Sequence, residues 1–263
     1  MSIKIRYMGR YGNQCFQWVF AKLLSEKNNL KIDTSPPDFF YEIKDSQDGE
    51  SGTGDTIHVS DLCGAKPLSL LEHDYRGKIV EIRGYFQDSD LYRDKDKIKS
   101  LFNIPAILNK NTDDIVVNLR LQDYQRKEIR SVIDVSWYKK ILHEEKYKKC
   151  FVVVEPHSTN ERYLKKLLSS ISGKVQFVRG TPKQQFDFIR SFDRIVTCNS
   201  TFSWLAAYLS DASKIWTFKP WMRTSPSNLA FMPFAIVTDG IYAPDDKTLQ
   251  RYDWDKYLRE RNG

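Results

Sequence analysis

From Asp114 to Phe218 the sequence alternates short, apolar, β-branched runs with stretches whose apolar residues recur at helical spacing. The runs predict strands at Asp114–Arg120, Phe151–Val154, Val175–Val178, Ile195–Cys198 and Ile215–Phe218. Helices are predicted at Ser136–Lys146, Asn160–Ser170 and Pro182–Phe192, with a further one from Phe202 onward. Strands that regularly alternate with helices build a parallel, doubly wound sheet. In such a sheet, ligands sit beyond the carboxyl ends of the strands. The earlier part of the chain repeats the scheme more loosely. Ile3–Tyr7 alternates like a strand, Met8–Gln14 is a glycine-bearing loop, and the run from Phe16 to Leu24 reads as a helix. Lys78–Gly84 is a clear strand, and Asp94–Phe102 a charged helix. Residues 34–56 are rich in Pro, Ser, Gly and Asp and read as loop.

The chemistry concentrates at strand ends. Ile195–Cys198 runs into Asn199-Ser200-Thr201 and then into the apolar helix that starts at Phe202. Strand, hydroxyl-rich turn and helix start together aim unpaired N–H groups at one spot, where a phosphate is stabilised. The same residues also suit an ordinary capped helix. Arg120 ends the strand from Asp114. A guanidinium there binds phosphate in bidentate fashion, or simply pairs with Asp123. Tyr85-Phe86-Gln87 follows the strand that ends at Gly84. Asn13-Gln14 opens the first long helix, as a cap or as ligand-facing amides. Gly9 and Gly12 make no GxGxxG fingerprint, since no third glycine follows at the needed spacing. Asp88-Ser89-Asp90 has the letters of a metal-binding DxD motif, but reads better as a helix-capping turn.

A chain of 263 residues makes one large domain or two of about 130. Two fit the pattern: 1–108, then 109–221, with 222–263 as a C-terminal tail packing back on the body. The net charge of +7 is a modest excess that favours anionic small molecules or an anionic membrane surface. Nothing in its distribution calls for a nucleic-acid partner. Aromatic residues reach 13 %, and carbohydrate sites use rings as apolar platforms. Cys15, Cys63, Cys150 and Cys198 show no CxxC or metal spacing; three of them lie in apolar surroundings as buried free thiols. His58 stands alone, as a surface or satisfied core histidine. No signal peptide and no 18-residue apolar run is evident. A cytoplasmic protein is expected, with peripheral attachment to a membrane left open.

Four stretches, in order, resemble glycosyltransferase family 11, the α-1,2-fucosyltransferase-like enzymes. They are Gly9-Arg-Tyr-Gly-Asn-Gln-Cys-Phe-Gln17, Gly84-Tyr-Phe-Gln87, Asn118-Leu-Arg-Leu-Gln-Asp-Tyr124, and the run from Asn199 to Leu209. The resemblance implies a GT-B-like α/β fold, two Rossmann-like halves with a cleft between them. It implies inverting transfer of L-fucose from GDP-fucose to a sugar hydroxyl, the 2-OH by family, without a cofactor or an essential metal. The partners are then a nucleotide sugar and an acceptor glycan; the oligomeric state stays open. On the donor side it places Asn118, Arg120, Glu155, Asn199, Ser200, Thr201 and Phe202, with Arg120 and Asp123 at the chemistry. Gly12, Asn13, Gln14, Tyr85 and Gln87 fall on the acceptor side. Glu155, Asp88 and Asp123 are the candidate bases. The chain departs from the family pattern at Asn118, where a histidine is usual, at Leu121 for a second arginine, at Gln122 for a glycine, and at Glu155-Pro156-His157. These departures bear on the donor sugar.

Overall fold

The computed structural model describes residues 1–37, 41, 54–121, 124, 132–155, 161–222 and 228–243. Two compact units divide the chain, Met1–Ala106 and Ile107–Gly263.

In the first unit, β1 (Ser2–Ile5), α1 (Tyr11–Asn28), β2 (Lys31–Ile32), β3 (Thr56–Val59), α2 (Pro67–Glu72), β4 (Ile79–Ile82) and α3 (Lys95–Ser100) follow in order. The strands form a parallel sheet in the order β2-β1-β4-β3. Alternation sets its two faces. Ile3, Ile5, Val80 and Ile82 are buried on one, while Lys4, Arg6, His58 and Arg83 are exposed on the other. On that polar face Glu81 pairs with Arg6 on one side and with His58 on the other, the latter at 3.2 Å. Helix α1 starts earlier than the apolar run suggests, so Gly12, Asn13 and Gln14 belong to its first turn. It is buried on most sides, through Phe16, Trp18, Val19, Phe20 and Leu24 among others. Each such large side chain contributes about 1.5–3 kcal/mol when fully buried.

In the second unit the elements are β5 (Ile115–Asn118), α4 (Val135–Glu144), β6 (Lys149–Val153), α5 (Glu161–Leu168), β7 (Lys174–Val178) and α6 (Pro182–Arg190). There follow β8 (Arg194–Val196), α7 (Thr201–Tyr208), β9 (Lys214–Lys219) and β10 (Ile236–Asp239). All pairings are parallel, in the order β10-β9-β8-β5-β6-β7. Counted within the unit this is 6-5-4-1-2-3, the strand order of a Rossmann sheet. The order reverses between β5 and β8, and it is at the carboxyl ends beside such a switch point that open α/β sheets bind their ligands. Strands β5, β6 and β8 are almost wholly apolar because helices cover a parallel sheet on both faces.

Within 222–263, strand β10 packs on the body as an edge strand of the sheet, paired with β9. Trp137 of α4 ties it in, with its Nε1–H donating to Thr238 Oγ1 at 3.0 Å. Among the described residues no helix is long and apolar enough to cross a membrane. Cys15, Cys150 and Cys198 are buried free thiols and Cys63 is exposed.

Candidate active site

The donor-side residues predicted from sequence gather at the switch point of the second sheet. Asn118 is the last residue of β5 and is buried. Its Nδ2 donates to the Val153 carbonyl at 3.3 Å, and its Oδ1 accepts from Cys198 Sγ at 3.1 Å. The amide therefore ties the ends of β5, β6 and β8 together. Two residues on, Arg120 forms an ion pair with Glu155, Nε to Oε1 at 2.6 Å. Glu155 Oε2 also accepts the Leu121 N–H at 3.1 Å. The carboxylate thus holds both the guanidinium and the backbone beside it. Register explains the meeting, since Asn118 pairs with Val153 and each chain then runs two residues further.

Tyr124 carries the arrangement across to the helix start. Its ring centroid lies 5.6 Å from the Arg120 guanidinium carbon, and its hydroxyl donates to the Asn199 carbonyl at 2.9 Å. Ser200 is the N-cap residue of α7 in extended conformation, yet its side chain makes no capping bond. Ser203 serves the turn instead, its hydroxyl accepting the Cys198 N–H at 3.3 Å. The first-turn N–H groups of α7, at Thr201 and Phe202, lie at the positive end of the helix dipole. The Phe202 ring packs edge-on to Phe186 of α6, centroids 5.7 Å apart, so this side chain anchors the helix. Cys198 reports the local field: burial pushes its thiol up to about 12, Glu155 adds to the rise and Arg120 opposes it.

The acceptor-side residues meet at the carboxyl ends of β1 and β4, neighbours in the first sheet. Gln87 Nε2 donates to Asn13 Oδ1 at 2.9 Å, and Gln14 Nε2 to the Gly9 carbonyl at 3.1 Å. Gly9 has φ of 75°, and a Cβ there would collide with the Asn13 amide. Glycine is thus required where Asn13 lies over the loop. Gly12 is buried as the second residue of α1, and Tyr85 is half-buried beside Gln87. Gln17 escaped the sequence reading. Its amide both accepts the Met8 N–H and donates to the Met8 carbonyl, each at 2.9 Å, which clamps the loop before α1. A polar residue one turn beyond Asn13-Gln14, in an otherwise apolar helix, was the available signal.

Asp88 caps a short 3-10 turn at Ser89–Tyr92 and accepts the Asp90 N–H at 3.0 Å, the capping role expected of it. Asp123, Gln122, Pro156 and His157 lie outside the described residues.

The Rossmann-like strand order places an arginine and a helix N-terminus at the switch point, the kind of groups that phosphate sites use. The family model of glycosyl transferase family 11 matches residues 73–227, more than half of the chain. The chain belongs to this family, that of the α-1,2-fucosyltransferases, and is a glycosyltransferase by membership. No curated protein matches it.

Proposed function

We propose that the protein moves L-fucose from GDP-fucose to a hydroxyl, by family the 2-OH, of an acceptor sugar, inverting the anomeric centre. The observation that carries this reading is Arg120, fixed by Glu155 beside the Asn199–Thr201 turn at the switch point of the second sheet. The acceptor oxygen attacks the anomeric carbon as the bond to GDP breaks, and its proton passes to a base. The leaving diphosphate gains negative charge. Arg120 and the first-turn N–H groups of α7 stabilise that charge, and neither has to reorganise as it develops. This supports metal-independent transfer. The Glu155 carboxylate is taken up by the Arg120 guanidinium and the Leu121 N–H, and Asp88 is spent on its turn. Asp123 is therefore the candidate base, by its place in the matched motif. Asn13, Gln14, Tyr85 and Gln87 serve the acceptor glycan, and the activity belongs in the cytoplasm.

One observation favours a second donor. Leu121, where the family carries another arginine, is buried in the apolar core. One cation of the usual set is missing, which fits a GDP-linked sugar other than fucose. A donor screen read by mass spectrometry separates the readings. Transfer from GDP-fucose alone supports the first, and transfer from another GDP-sugar supports the second. Stabilisation by GDP with no turnover of any donor marks a binding homologue.

A further inference from the structure

A carboxylate outside the matched region holds the loop that follows β4. Asp61 lies two residues past β3. Its Oδ1 accepts the Tyr85 N–H at 2.9 Å and its Oδ2 the Phe86 N–H at 2.7 Å. Two successive N–H groups directed at one anion form a backbone nest. The loop is strained into that shape. Phe86 has φ of 50°, an uncommon conformation for a side-chain-bearing residue. Its ring is fully buried and stacks on Phe20, centroids 4.1 Å apart and 12° from parallel. Gly84 leaves no room for a side chain, since a Cβ would collide with Asp61 Oδ1 and stand 3.1 Å from the Phe86 ring. Asp61 is held there against its own preference: burial, helped by Asp88, raises its carboxyl above the usual range despite both N–H bonds. The next residue is Gln87, whose amide fixes Asn13. Among the described residues, no group donates to Gln87 Oε1 and no side chain bonds the Tyr85 hydroxyl.

We propose that Asp61 is a positioning residue for acceptor recognition, fixing the backbone from which Tyr85 and Gln87 meet a sugar's hydroxyls. This rests on the acceptor-side reading of Asn13, Tyr85 and Gln87. Asp61→Ala removes both acceptors from the nest; Asp61→Asn keeps one at nearly the same shape. With the full chain and saturating donor, Asp61→Ala raises the acceptor KM by about tenfold or more, while kcat moves little and stabilisation by GDP is unchanged. Asp61→Asn falls between Ala and wild type. A residue that only held the fold together would lower kcat and GDP stabilisation together, and that pattern overturns the proposal, as does an unchanged KM. If the wild type transfers no sugar, the functional reading fails instead. Amide exchange at Tyr85 and Phe86 then decides whether the clamp exists. It is slow in wild type and much faster in Asp61→Asn if Asp61 holds the loop, and equal in the two if it does not.

Discussion

Arg120 and Glu155 form a 2.6 Å ion pair where β5 and β6 end side by side. The pair orients the guanidinium before any donor arrives. Such a fork delivers its energy only in the right direction. Glu155→Gln keeps an oxygen for the Leu121 N–H but loses the charge that holds Arg120. GDP affinity is expected to fall by about threefold to tenfold, the equivalent of roughly 1 kcal/mol. Calorimetric titration checks this. Tighter GDP binding in the variant would show that Glu155 competes with the diphosphate rather than preparing its site.

Tyr124 joins Arg120 to the turn before α7. Tyr124→Phe keeps the ring under the guanidinium and removes the bond to the Asn199 carbonyl. Losing this buried hydrogen bond costs about 0.5–1.5 kcal/mol. The variant is expected to melt several degrees lower and to gain less stability from GDP than wild type does. A melting curve with and without GDP reads both effects.

The regular part of the fold was legible because its strands are apolar runs too short for helices. Strands β5 to β9 all lie where Ile, Val and Phe cluster. Strand β10 was not legible: its burial is partial, and no predicted helix precedes it. At the site, the residue types were readable and their partners were not. Arg120 could pair with its near neighbour Asp123 on sequence grounds. Its partnership with Glu155, 35 positions away, depends on the register of two strands, which no local pattern encodes. The same holds for Tyr124 with Asn199, and for Asn118, which local sequence offers as a ligand and the fold uses as a tie between strand ends.

Burial of ionisable core groups sets an alkaline limit. Cys15, Cys150 and Cys198 are buried, and burial raises all three thiols, that of Cys198 to about 12. Tyr138 and Tyr163 are raised as well, first by burial. Below about pH 9 both folded and unfolded chains keep these thiols protonated, so their contribution is fully present. Above it the unfolded chain loses the protons first, and stability falls by about 1.4 kcal/mol per pH unit for each thiol. Melting temperature should hold steady from pH 7 to 8.5 and decline from pH 9 to 11. Cys63, exposed, should be the thiol that a water-soluble disulfide reagent modifies fast in the native protein. A flat melting profile to pH 11, or rapid labelling of Cys198, would contradict the burial on which this rests.

Titration of GDP into wild type and Arg120→Ala by calorimetry reads the role of this arginine. Saturable GDP binding to the wild type is expected, with an affinity at least about tenfold weaker in the folded variant and little heat from UDP in either. Equal GDP affinity in the two proteins would contradict that role, because the diphosphate would then be held somewhere other than the switch point of the second sheet.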